Sequence, residues 1–247
     1  LTQDQVTDIH RAAGGKAIVS SSGNDTLRSG LVGQWSMDGQ DVNWADTTTE
    51  VKDRSGNANH GDATNMSSAS VAPGRIGQAL TFDGTDDYIV AAQVSGLPAF
   101  SSTTHSIAFW VKGVANQVDN RVYAEGNDSV GTPLFSLGTA VGGDNGKLDV
   151  YIRNDSNTVL LDHAQTTTNV FDGAWHHVVW TDNNGAAKVY IDGIQDATDF
   201  TYTRSTLTLN VTAVGAIVRT GVQDWFAGSI DDIRVYNRVI TAIEVTQ

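Results

Sequence analysis

The chain has 247 residues, a net charge of −13 and no cysteine. With 40% hydrophobic and 17% charged residues it is globular rather than disordered, and the missing cysteines exclude disulfides, thiolate zinc sites and thiol catalysis. The acidic surface repels nucleic acid and anionic membranes and attracts cations.

Only Glu50, Glu125 and Glu244 are glutamates, so aspartate supplies 25 of the 28 acidic residues. Aspartate forms turns and short-armed oxygen ligands, whereas glutamate favours helix. The bias fits a loop-rich β protein with oxygen-lined cation sites.

The chain opens on Leu1 rather than methionine and is read as a processed product or part of a longer multidomain protein. Residues 1–30 are expected to be a linker or the end of an upstream segment. A short helix is predicted over 1–13, with Val6, Ile9 and Ala13 at helical spacing. A flexible joint over 20–25 follows. From residue 31 the pattern is strands and turns. Strands are predicted at 31–36, 79–82, 88–92, 105–111, 148–153, 158–162, 175–181, 188–191, 207–210, 213–217 and 228–235, and a terminal helix at 240–245. A long polar loop is expected over 38–66. The run Asp182-Asn-Asn-Gly-Ala186 marks a hairpin, because Asn-Gly supplies the positive φ angles of a tight turn. Short strands without a βαβ rhythm indicate an all-β fold, an antiparallel two-sheet sandwich or jelly roll, with a short N-terminal extension. No apolar run approaches the ~18 residues of a membrane span, so no membrane insertion is expected.

The 227–238 strand carries adjacent carboxylates. Strict alternation puts Asp231 with Ile233 and Val235 on one face, and Asp232 with Ile230, Arg234 and Tyr236 on the other. A carboxylate on an aliphatic face is costly to bury unless a cation or several hydrogen bonds meet it. That points to a metal, with Ca²⁺ the ion suited to oxygen donors.

Seven runs follow one another along the chain: Leu31-Val-Gly-Gln-Trp-Ser-Met-Asp38, Asp53-Arg-Ser-Gly-Asn-Ala-Asn-His-Gly61, Gly74-Arg-Ile-Gly-Gln-Ala-Leu-Thr-Phe-Asp-Gly84, Ile107-Ala-Phe-Trp-Val-Lys112, Trp175-His-His-Val-Val179, Val189-Tyr-Ile-Asp-Gly193 and Ile230-Asp-Asp-Ile-Arg-Val-Tyr-Asn-Arg238. In this order they resemble motifs of the laminin-G-like, concanavalin-A-like jelly-roll superfamily, in its bacterial secreted or surface branch. The resemblance implies one jelly-roll domain over 31–247, pairing of its first and last strands, and one structural Ca²⁺ near the sheet edge. It also implies an extracellular or cell-surface binding or adhesion role towards glycan or a matrix-like ligand. The expected metal residues are Asp38, Asp231 and Asp232, with Asn57, Asn59 and His60 contributing from the 53–60 loop, His60 through its carbonyl. The alternative is that this loop is a turn-rich connector and Asp231 caps a backbone amide.

Flat rings stack on pyranose faces, so Trp110, Trp180, Tyr190 and Tyr202 are candidate ligand platforms if they face outward; otherwise they fill the core. The Asp83, Asp86 and Asp87 cluster reads as a solvated hairpin tip. His176 and His177, on opposite faces of a strand, cannot easily chelate one ion. No strand holds two glutamates, which disfavours glycoside hydrolysis. Gln117, Arg121, Tyr123, Tyr151, Arg153 and His163 lack tight spacing for a lyase. The leading expectation is a non-catalytic carbohydrate- or matrix-binding module with structural calcium. The alternatives are a polysaccharide-active enzyme on the same fold, or a spacer domain.

Overall fold

The computed structural model describes residues 26–143 and 145–246. The helix expected over 1–13 and the joint over 20–25 lie outside these residues. The strands are β1 (Leu31–Trp35), β2 (Gly61–Thr64), β3 (Val71–Pro73), β4 (Gln78–Asp83), β5 (Tyr88–Ala91) and β6 (Thr104–Gly113). After them come β7 (Arg121–Gly126), β8 (Leu134–Thr139), β9 (Lys147–Arg153), β10 (Val159–Asn169), β11 (His176–Asn183) and β12 (Ala186–Ile191). The chain finishes with β13 (Ile194–Gln195), β14 (Val211–Val214), β15 (Ile217–Val218), β16 (Val222–Gln223), β17 (Ala227–Tyr236) and a short helix α1 (Ala242–Val245).

These strands build the expected antiparallel sandwich. One sheet runs β13-β12-β11-β6-β17-β4-β3, with β1 also pairing β17; the other runs β10-β9-β8-β7-β14-β5-β2. Local turn chemistry sets the hairpins. β11 and β12 meet around Asn184 and Gly185, both at positive φ, as the Asn-Gly signal predicts. The inner faces interdigitate Trp35, Phe82, Ile107, Phe109 and Val111 with Phe135, Leu137, Leu148 and Val150 in one core. Two central strands, β7 and β8, escaped the sequence reading. Every residue in both is buried, including Arg121, Glu125 and Ser136, so neither shows a simple apolar alternation. Residues 207–210 form no strand, although Leu207 and Leu209 are buried in the core.

β17 departs most from its expected geometry. Its register against β6 pairs Ile230 with Val111 and Asp231 with Trp110, then slips before Arg234 pairs with Ala108. This bulge sets Asp232 and Ile233 against Phe109 alone, and Asp232 takes a φ of 42°. Ile230, Ile233 and Val235 therefore all reach the core. Asp231 lies opposite Trp110 on the outer face, not with Ile233 and Val235 as strict alternation predicts.

Burial also corrects three aromatic expectations. Trp180 is fully buried between the sheets, and its indole nitrogen donates to His105 Nε2 at 3.2 Å. Tyr190 is buried in a second apolar cluster, with Val179, Tyr236, Ile240 and Val245, where the α1 segment covers the outer face of the eight-stranded sheet. Tyr202 donates its hydroxyl to Asp182 and lies against the Phe100 ring at 6.3 Å between centroids. Trp180 and Tyr190 are buried and present no free ring face, whereas Tyr202 is half-buried and packs against the core.

Trp180→Ala is expected to cost about 3–5 kcal/mol of unfolding free energy, the usual range for a large aromatic removed from a packed core. Urea unfolding measures it; a loss below about 1 kcal/mol would contradict the burial. His105 gives a pH signature. Burial first, and then the Arg204 charge, push its imidazole down to about 3. The unfolded chain then binds a proton that the folded chain refuses between roughly pH 6.5 and 3. This contribution leaves stability unchanged above that window and lowers it as pH falls through it, by on the order of 1 kcal/mol per pH unit. His105→Gln keeps an acceptor for Trp180 and should flatten that slope relative to the parent.

Candidate functional site

β17 changes partners midway. Its residues 227–230 pair with β4, and its residues 233–236 pair with β1. Asp231 and Asp232 sit at the changeover. The tight turn over residues 74–77, which joins β3 to β4, closes over this gap. Arg75 N and Ile76 N both donate to Asp231 Oδ2 at 2.8 Å. From the end of β1, Asp38 Oδ1 accepts from Gln78 N at 2.8 Å, and Gly39 N donates to Gln78 Oε1 at 2.9 Å. Glycine is required at both ends of the turn. A Cβ on Gly74 would stand 2.6 Å from Asp231 Oδ2, and one on Gly77 would collide with Asp38 Oδ1.

Asp231 is fully buried, and among the described residues its Oδ1 has no hydrogen-bond partner. Burial first, and then the charges of Asp232 and Asp38, push its carboxyl up to about 7, against the pull of the Ile76 and Arg75 amides. An orphaned buried carboxylate oxygen beside a second carboxylate is a donor set that suits a hard divalent cation. Asp38 and Asp231 are the residues that would hold it.

The other residues expected at a metal are engaged elsewhere. Asp232 forms a two-pronged pair with Arg234, at 3.2 and 2.8 Å. Asn57 and Asn59 donate to the carbonyls of Leu31 and Val32, at the opposite end of β1 from Asp38. Asn59 Oδ1 accepts from Val94 N and Ser95 N. His60 Nδ1 accepts from Asp53 N, and the His60 carbonyl accepts from Ala92 N. The buried Asp53 carboxylate accepts the amides of Gln34, Ser55 and Asn59. The 53–60 loop is thus a connector tied to β1 by its own amides, and that use of its polar atoms removes them from the seam.

Next to the seam, the outer face of the eight-stranded sheet carries a groove of about 290 Å³, lined among others by Trp110, His177, Asp192, Asp232, Arg234 and Tyr236. Of the four aromatic candidates, Trp110 alone lines it. β6 lies between β11 and β17, so Trp110 has His177 beside it on one strand and Asp231 on the other. The Trp110 and His177 ring centroids are 5.0 Å apart, and the Arg75 guanidinium lies 4.8 Å from the indole centroid. Burial pushes the His177 pKa down, so the ring is neutral at pH 7. Its strand neighbour His176 bridges two carboxylates, Asp192 at 2.8 Å and Asp172 at 3.2 Å. Asp192 also accepts from His177 N, which fixes it at the groove rim. The groove carboxylates are thus paired: Asp192 with His176, Asp232 with Arg234, and Glu244 with Arg238.

A second constellation lies on the seven-stranded sheet. Ligand atoms of Asp119, Asp149 and His163 approach within 4.8 Å of one another. The buried Arg121 already occupies the place of a cation there, pairing with Asp119 and, at 3.2 Å, with Asp149. Tyr151 stacks on His163 at 4.6 Å. Arg121, Tyr151, Arg153 and His163 lack tight motif spacing in the sequence. The available signal was the i, i+2, i+4 spacing of Asp149, Tyr151 and Arg153, which places them on one face of β9. Asp83, Asp86 and Asp87 form a compact cluster whose carboxylates accept backbone amides of their own turn.

The profile of the concanavalin A-like lectin/glucanases superfamily, in its Laminin_G_3 branch, matches residues 83–246. The chain belongs to this superfamily. Among solved structures, domain 4 of AbnA, a GH43 extracellular arabinanase from Geobacillus stearothermophilus determined with arabinotriose, is similar at 24% identity and a TM-score of 0.62. The match covers 87% of this chain and 96% of that one. The receptor-binding domain of botulinum neurotoxin C/D mosaic serotype is similar at 12% identity and a TM-score of 0.61, over 88% of this chain and 50% of that one. The binding domain of botulinum neurotoxin DC, determined with SialylT, is similar at 14% identity and a TM-score of 0.60, over 89% of this chain and 51% of that one. The chain thus spans nearly all of the arabinanase domain and about half of each toxin domain. These likenesses establish the jelly-roll fold. No curated protein matches the sequence. Among the described residues, no helix is long and apolar enough to cross a membrane.

If Asp232 serves Arg234 rather than the seam, Asp232→Ala should leave the response of the melting temperature to calcium intact. Asp231→Ala should abolish it. Equal loss in both variants, read by calorimetry with and without EGTA, would put Asp232 back among the ligands.

Proposed function

We propose that this superfamily member is a non-catalytic carbohydrate-binding module of an extracellular or cell-surface protein, with its glycan in the groove beside Trp110 and a structural Ca²⁺ at the Asp38–Asp231 seam. The observation that carries the reading is the groove itself. At about 290 Å³ it lies near the lower end of the roughly 300–1,000 Å³ typical of ligand pockets. It combines aromatic flanks with polar groups held in fixed directions. The paired carboxylates Asp192 and Asp232 offer oriented acceptors for sugar hydroxyls, and Arg234 offers donors. A glycosidase needs one free acid and one free base or nucleophile in the cleft. Here each groove carboxylate is already paired with a basic side chain, Asp192 with His176, Asp232 with Arg234 and Glu244 with Arg238, which supports recognition over hydrolysis. The neighbouring arabinanase domain and toxin domain, determined with arabinotriose and SialylT, support a glycan-class ligand on this fold.

Calcium at the seam is a structural part of the same reading. At about 1 mM free Ca²⁺ and a Kd of about 10⁻⁴–10⁻³ M, linkage stabilises the folded chain by on the order of 0.4–1.4 kcal/mol. EGTA should therefore lower the melting temperature by about 1–5 °C; an unchanged melting temperature argues against the ion.

On a glycan array, binding should disappear in Trp110→Ala and persist in Tyr202→Phe, with both variants checked for folding by circular dichroism. Hits that survive Trp110→Ala would place the ligand outside this groove.

A further inference from the structure

We propose a second ligand site, on the outer face of the seven-stranded sheet, where Arg153 and Arg219 bind the oxyanion of an acidic sugar, a ring carboxylate or a sulfate ester. The ligand class rests on the carbohydrate-binding reading above. The place does not, since the groove beside Trp110 lies on the other sheet. Three elements meet here. Arg153 ends β9 and shares a face with Asp149 and Tyr151, because residues two apart on a strand point the same way. The loop over residues 127–133 joins β7 to β8 and brings the Gly131 carbonyl. The β15–β16 hairpin brings Arg219. Arg153 Nη2 donates to the Gly131 carbonyl at 2.7 Å and Arg219 Nη1 donates to it at 3.1 Å, so both guanidinium groups converge on one oxygen. Arg153 Nε also donates to the Thr132 carbonyl at 2.6 Å.

The charge balance at this point sets it apart. The chain is rich in carboxylates, and Arg54, Arg121, Arg204, Arg234 and Arg238 each hold one. Arg153 and Arg219 are half-buried and form no ion pair among the described residues. Their shared partner is a neutral carbonyl, which cancels neither charge. Burial first, and then the Arg153 charge, push the Arg219 pKa down, as expected of like charges set side by side; the Asp224 charge pulls the other way without forming an ion pair. A guanidinium carries five N–H donors. The chain uses two on Arg153 and one on Arg219, so planar forks of the kind that match a carboxylate or sulfate stay open on both. An anion there relieves the repulsion and gains charge-assisted hydrogen bonds. The surroundings suit a ring that carries hydroxyls besides its acid. The Tyr151 ring lies 5.9 Å from the Arg153 guanidinium and is half-buried. His163 stacks on it and turns Nδ1 to Asp149 at 3.0 Å, leaving Nε2 for another partner. Ser136 lies opposite Tyr151 in the β8–β9 register, and both its Oγ and Arg121 Nε are buried without a hydrogen-bond partner among the described residues.

Calorimetric titration of the folded chain tests the site with four probes: a glucuronate oligosaccharide, a sulfated one, a neutral one and inorganic sulfate. An acidic oligosaccharide should bind at least tenfold more tightly than the neutral one, and the better of the two acidic probes tells carboxylate from sulfate. Arg153→Gln and Arg219→Gln should each weaken that binding by about tenfold or more, the loss of a charge-assisted hydrogen bond or two. Arg153→Lys should recover only part of it, because a point charge does not replace the fork. If Arg153→Gln does not fold for want of its two carbonyl bonds, Arg219→Gln on the hairpin carries the same expectation. In amide NMR spectra the acidic probe should shift the signals of Gly131, Thr132, Arg153 and Arg219. Shifts confined to Trp110 and His177 would place the acid in the groove and overturn the second site. Equal affinity for acidic and neutral probes would also overturn it, as would acidic binding that survives both glutamine variants, or no binding of any acidic probe. A neutral glycan held at Trp110 with no preference for acid overturns this inference and leaves the groove standing. Inorganic sulfate bound in an Arg219-dependent way, with no oligosaccharide bound anywhere, overturns the proposed function and leaves the oxyanion site standing.

Discussion

Two carboxylates hold one turn, and much of the outer face depends on that arrangement. β17, which with β6 is one of the two ten-residue strands of its sheet, changes partners from β4 to β1 partway along. A changeover leaves a gap in the ladder, with backbone groups in search of partners. Asp231 and Asp38 satisfy the amides of the turn that covers the gap. The bulge that follows Asp231 in β17 lets this carboxylate face that turn while Ile233 and Val235 still return to the core.

Charge is handled differently at three places on the same fold. In the groove, the carboxylates pair with the basic side chains His176, Arg234 and Arg238. On the seven-stranded sheet, one buried guanidinium serves two carboxylates. At the seam, backbone amides satisfy one oxygen of Asp231 and leave the other unpartnered. A buried carboxylate costs least when a cation or a full set of hydrogen bonds meets it. The first two places meet that requirement within the chain. The third does not, and the proposal of an ion there rests on that contrast.

Much of the fold was legible in the sequence because its signals are local. The Asn-Gly turn, the apolar runs of β6 and β11 and the capped C-terminal helix each depend on a few neighbouring residues. β7 and β8 were not legible, because strands at the centre of a sheet bury both faces and show no period. The site was legible in part. Asp38 and Asp231 were singled out and do meet the same turn, and Trp110 does line a groove. Asn57, Asn59 and His60 are ligand types in a plausible order, yet their polar atoms are spent on the backbone of β1 and the residues beside it.

By itself, the sequence determined an acidic, cysteine-free β sandwich with its hairpins in place, since turn chemistry and strand periodicity act over a handful of residues. The tertiary structure alone decided which face Asp231 takes and what it touches. One slipped residue in β17 reverses the parity of the strand, and the amides that meet the carboxylate come from 155 and 156 residues away. The tertiary structure also decided which aromatic rings were left outside. Trp110 and Trp180 lie on adjacent strands with similar local patterns, and only the packing of the second sheet against one face separates a groove residue from a core residue.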